Sequence, residues 1–110
     1  MPRTVIPITD VTRTGTTQPS QTSGDASNNH YLAYNDGRVM LELTAASGTV
    51  VYTIITPGTV DGLAVSDLTV SVTTTPKVVG PLPPAVYNQA DGTVNIDVDS
   101  ANGRARAYRL

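Results

Sequence analysis

Along most of the chain, apolar and polar positions alternate with the period of two that marks a half-buried strand. Arg38-Val39-Met40-Leu41-Glu42-Leu43 sets Val39, Leu41 and Leu43 on one face. Thr49-Val50-Val51-Tyr52-Thr53-Ile54-Ile55 is the run of highest β-propensity, and the short Ser47-Gly48 connection predicts a hairpin between these two strands. Leu68-Thr69-Val70-Ser71-Val72 alternates with Leu68, Val70 and Val72 inward, and Lys77-Val78-Val79 follows. Thr93 to Val98 and Arg104 to Leu110 complete the set, with Ala105 and Ala107 sharing a face of the last strand. Asn35-Asp36-Gly37, Asp91-Gly92 and Asn102-Gly103 read as turns, the last being the best two-residue hairpin signal. Val60 to Val65 reads as a short strand or crossover loop, and Pro81-Leu82-Pro83-Pro84 as a rigid extended connector. No window sustains a 3.6-residue apolar period. Seven or eight short strands at regular spacing predict an all-β fold, a single β-sandwich of jelly-roll or immunoglobulin-like type.

The first thirty residues break this pattern. Val5-Ile6-Pro7-Ile8 is a short β run whose proline removes a ladder donor, which places it on an edge or in an arm. Thr14 to Asn29 is almost wholly Thr, Ser, Gln, Asn, Gly and Asp, too polar to bury a core of its own. The expected organisation is therefore an extended N-terminal arm and polar loop over 1–30, followed by a sandwich domain over 31–110.

Composition limits what such a domain can be. The 110 residues fit one domain, with no Cys, Trp or Phe and five Tyr, so the core must come from Val, Ile, Leu and Ala. A domain of this size buries only about 60–70% of the surface its unfolded chain exposes. With no disulfide or thiolate metal site to reinforce so thin a core, association between copies is an expected source of stability. The net charge of −2 argues against a nucleic-acid partner, although Arg104, Arg106 and Arg109 crowd one end and Arg3 and Arg13 the other. No stretch approaches the ~20 apolar residues of a membrane span, and Met1-Pro2-Arg3-Thr4 lacks the apolar run of a signal peptide.

Candidate chemistry is sparse. His30 is the single histidine, follows a polar stretch and reads as a loop residue or a pH-sensitive contact. Asp97 and Asp99 share the outward face of one strand, with Asp91 in the turn before it. Paired carboxylates suit acid–base chemistry or Ca²⁺, but Asp91-Gly92 lacks the dense oxygen ligands of a calcium loop, and outward Asp also guards sheet edges. No glycine-rich phosphate loop leads into a helix. Tyr31 and Tyr34 are the one close aromatic pair that could stack on a sugar. The expectation is a non-enzymatic protein with no catalytic, cofactor or metal site.

Three stretches carry a resemblance: Thr4-Val5-Ile6-Pro7-Ile8-Thr9-Asp10-Val11-Thr12-Arg13, Thr56 to Val70 and Gly80 to Val94. Together they resemble small structural proteins of tailed bacteriophages, most nearly the capsid decoration, or cement, proteins. The resemblance implies a β-sandwich, made in the host cytoplasm, that binds the major capsid protein on the outside of the virion and clusters as a homotrimer. It implies binding through an N-terminal arm. Val5, Ile6 and Ile8 are then the expected apolar anchors, Arg3 and Arg13 the ionic contacts, and Tyr87-Asn88 a further contact loop. A head–tail or tail component and a carbohydrate-binding adhesion module are the alternative readings.

Overall fold

The computed structural model describes residues 3–57, 59–60, 62–64 and 66–109. The chain runs through β1 (Thr4–Val5), β2 (Ile8–Asp10), β3 (Thr22–Ser23), β4 (His30–Leu32), β5 (Val39–Ala45), β6 (Val50–Ile54), β7 (Thr59–Val60) and β8 (Leu63–Ala64). It continues through β9 (Leu68–Val72), β10 (Lys77–Val79), a single helical turn α1 (Pro84–Tyr87), β11 (Val94–Val98) and β12 (Gly103–Arg109). Met1, Pro2, Gly58, Asp61, Val65 and Leu110 lie outside the described residues, and with them parts of the expected Val60–Val65 and C-terminal strands.

Two mixed sheets pack face to face as a β-sandwich. One is ordered β1-β4-β11-β6-β9 and the other β10-β5-β12-β2, with β3 also pairing β12. The alternation in the sequence is the alternation of burial. Val39, Leu41 and Leu43 on β5, Val50, Tyr52 and Ile54 on β6, Val94, Ile96 and Val98 on β11, and Ala105 and Ala107 on β12 all point into the shared core. Intervening residues such as Glu42, Thr53, Asp97 and Arg106 stay partly exposed, which is what a pleated strand requires when one face is wet.

The pairing of these strands differs from the expected hairpins. β5 and β6, joined through Ser47-Gly48, lie in opposite sheets: β5 pairs β12, and β6 pairs β11 and β9. The Asn102-Gly103 turn likewise carries the chain from β11 in one sheet to β12 in the other. A two-residue turn signal specifies only a reversal. Here both strands present an apolar face, and stacking the strands face to face buries both. Gly103 is needed at this crossing because a Cβ there would strike the Tyr52 hydroxyl. The proline connector also departs from expectation: Leu82 drops into the core, and Pro84 starts α1, where the missing N–H of an N1 proline costs nothing.

The N-terminal segment is extended, but it lies on its own chain. Its strands form parallel edges, Thr4 and Val5 against His30 and Tyr31 in one sheet, and Ile8 to Asp10 against Ala107 to Arg109 in the other. Between them Pro7 breaks the strand, the chain crosses the side of the sandwich, and Ile6 is fully buried in the core. The polar stretch that follows is held by hydrogen bonds rather than by apolar burial. β3 pairs Arg104 and Ala105, the Pro19 carbonyl accepts from Arg106 Nε at 2.7 Å, and the Gly24 N–H donates to the Gly103 carbonyl at 2.8 Å. The expected boundary at residue 30 thus falls between strands of the same two sheets.

Candidate interaction site

The residues expected to bind a partner fall into three places. Arg3 donates through Nη1 to Asp97 Oδ1 at 2.7 Å and to the His30 carbonyl at 3.2 Å, tying the start of β1 to β4 and β11. On β1, Val5 is 39% exposed. Ile6 is enclosed by its own core, and Ile8 packs partly against it, so neither presents a free apolar anchor in this arrangement. Arg13 stands apart in the loop after β2, exposed and without an ion pair or side-chain hydrogen bond among the described residues. Exposed Val11, 42% accessible, lies between Arg13 and the end of β2.

Tyr87 and Asn88 have internal work. The Tyr87 ring packs against the core. Asn88 and Asn35 exchange amide bonds: Asn35 Nδ2 donates to Asn88 Oδ1 and Asn88 Nδ2 to the Asn35 carbonyl, each at 2.8 Å. Asn35 Nδ2 also reaches the Leu82 carbonyl at 2.9 Å. This network anchors the 82–88 segment to the β4–β5 loop. No periodicity or turn rule signals it, because the partners lie 53 residues apart.

His30 is the residue whose setting the sequence conceals most. It opens β4 and is fully buried, bridging β1 and the loop before β4. The backbone N–H of Asp25 donates to Nε2 at 3.0 Å, so that nitrogen carries no proton and Nδ1–H donates to the Thr4 carbonyl at 3.2 Å. Burial holds its pKa below the ordinary 6.5; the bond to Thr4 and the Asp25 carboxylate act in the opposite direction, and Arg3 adds to the lowering. A histidine after a polar stretch looked like a loop residue, but its two ring nitrogens satisfy two backbone groups that β1 and the 25–29 turn would otherwise bury.

The carboxylates likewise close structure. Asp99 Oδ1 accepts from the Val51 N–H at 3.0 Å, and Asp67 Oδ1 accepts from both the N–H and the hydroxyl of Thr56, closing the base of the excursion that carries β7 and β8. Asp91 caps its own turn through the N–H and hydroxyl of Thr93, bonds that hold its pKa below the ordinary carboxylate value. Asp36 binds Arg38 and lies near Arg109, whose guanidinium sits 5.5 Å over the exposed Tyr34 ring. Among the described residues no three His, Cys, Asp or Glu side chains gather as metal ligands. No family model, no curated protein and no solved structure matches the chain.

Proposed function

We propose that this chain is a structural, non-enzymatic part of a phage virion that binds the outer surface of the capsid and stabilises it. The observation that supports the reading is where the polar side chains are engaged. His30, Asn35, Asp67, Asp97 and Asp99 all hold strands or loops of the sandwich together, as befits a rigid part rather than a reactive site. In the N-terminal segment Val5, Val11 and Arg13 are exposed. In this reading those three residues meet the major capsid protein, and Ile6, Ile8 and Arg3 keep the segment that bears Val5 in place. A protein that binds the assembled lattice but not its free subunits stabilises the lattice by mass action, and many weak copies suffice.

The test uses the full chain with expanded capsids. Val11→Asp and Arg13→Glu change exposed loop residues and should leave the thermal transition unchanged while reducing cosedimentation with capsids at least tenfold. Unchanged cosedimentation of the double variant would remove this surface from the reading, and no cosedimentation of the native chain would remove the reading itself.

A further inference from the structure

Sheet edges expose unpaired backbone groups, and proteins commonly guard them with short strands, prolines or inward charges. Three edges of this sandwich are guarded in that way. β1 is two residues long, and β2 follows Pro7 and ends on exposed Asp10. β10 is three residues long and carries Lys77 opposite core residue Leu43, so a charge stands on the inward side of the rim. β9 differs: its five residues, Leu68–Val72, contain neither charge nor proline, and no strand lies beyond it among the described residues.

Which of its backbone groups face outward follows from its neighbour. Val51 exchanges bonds with Asp99, and the Ile55 N–H donates to the Asn95 carbonyl, so residues 51, 53 and 55 of that strand face β11. Val50, Tyr52 and Ile54 therefore face β9, where they stand opposite Val72, Val70 and Leu68. The N–H and C=O groups of Thr69 and Ser71 are left pointing away from the sheet. Thr73, next in that series, already gives its carbonyl to the Ala45 N–H at 2.8 Å.

We propose that β9 is a strand-pairing edge whose occupant is β9 of a second copy of this chain, antiparallel and centred on Val70. The sequence of the edge is self-complementary about that point. Thr69 stands opposite Ser71 of the other copy, hydroxyl against hydroxyl on the exposed face, and Leu68 opposite Val72 on the core side. Each Thr69–Ser71 pair exchanges two backbone hydrogen bonds, four in all for the two symmetric pairs. No like charges meet across the axis, and the part-exposed rims of Leu68 and Val70 are covered. The two five-stranded sheets become one continuous sheet. This contact is two-fold and independent of the capsid reading, and as the contact joining free copies it takes the place of the trimer that the resemblance implies.

Sedimentation equilibrium of the full chain should show a mass rising with concentration from one 11.5 kDa chain to two. The double variant Thr69→Lys/Ser71→Lys sets lysine against lysine twice and should weaken the dimer at least tenfold, and Thr69→Glu/Ser71→Glu should do the same. Mixing the two variants should restore a dimer, because every cross-axis pair then has opposite charges; this arm reads register as well as contact. Ser71→Pro removes an outward N–H while leaving the ladder to β6 intact, and should also weaken the dimer. A chain that remains monomeric up to about 1 mM overturns the inference. So does a trimer, or a dimer whose strength neither lysine pair nor proline alters.

Discussion

Tyr52 and Gly103 meet where the chain crosses between sheets, and the contact is tight on both sides. The Tyr52 hydroxyl is buried without a hydrogen-bond partner among the described residues, and burial pushes its pKa up to about 12. A buried donor left unmade costs about 1–3 kcal/mol, so Tyr52→Phe should leave stability unchanged or raise it by about 1 kcal/mol in chemical denaturation. Gly103→Ala should cost more than about 2 kcal/mol, because the new methyl meets Tyr52 and a Val98 methyl group at 3.0 Å. His30 supplies the pH dependence. Its folded pKa lies below the unfolded 6.5, so the unfolded chain takes up the proton first as pH falls. Its contribution is complete above about pH 6.5, declines below it by at most about 1.4 kcal/mol per unit, and levels off beneath the folded pKa. The facing charged groups are Asp25, which favours the protonated ring, and Arg3, which opposes it. Asp25, Asp36 and Asp91, with pKa values lowered below 3.8, lose their contributions only at more acid pH. Melting temperatures between pH 7.5 and 5 should therefore fall in the native chain and stay flatter in His30→Gln. An equal slope in both would assign the acid loss elsewhere.

At the scale of elements, the inward and outward residues of β5, β11 and β12 were legible in the sequence because alternation is a local signal and burial follows it residue by residue. β6 was legible as a strand but not by face, since apolar Val51 sits on its outer side. The partners of those strands were not legible. β5 meets β12 across some sixty residues, and β6 meets β11 across about forty, so the pairing is decided by which faces can be buried together. The Ser47-Gly48 and Asn102-Gly103 turns carry no information on that choice. The docking of the N-terminal segment on its own sandwich was not legible for a related reason: a two-residue β1 and a three-residue β2 carry little alternation alone, and what fixes them is the burial of Ile6 between them. Ile6→Ala should accordingly cost about 2–4 kcal/mol, whereas Val5→Ala on the exposed side of β1 should cost less than about 1 kcal/mol. Comparable losses at the two positions in urea denaturation would contradict the docking of this segment.

For the whole molecule, closure is asymmetric. On one side, residues 3–10 cross from sheet to sheet and fill the gap with Ile6; on the other, β9 and β10 end the sheets at the turn that joins them. The sequence suggested that residues 31–110 fold as a unit, yet in the structure that fragment lacks a core side chain, the His30 bridge and the Arg3–Asp97 pair. It also leaves one side of β12 without the partners β2 and β3. Losing Ile6 alone removes about 2–4 kcal/mol, and exposing the β12 edge and the apolar surface beneath it adds to that. Total stability of such a domain is about 5–15 kcal/mol, so the fragment should be marginal. Its thermal midpoint should fall by more than about 10 °C, or its transition should lose cooperativity. A synthetic peptide of residues 1–30 added in trans should restore the native near-ultraviolet signal, since the segment binds through backbone ladders and one apolar anchor. A fragment melting at the native temperature without the peptide would make the N-terminal segment an accessory to the sandwich, and its exposed residues the more available to a partner.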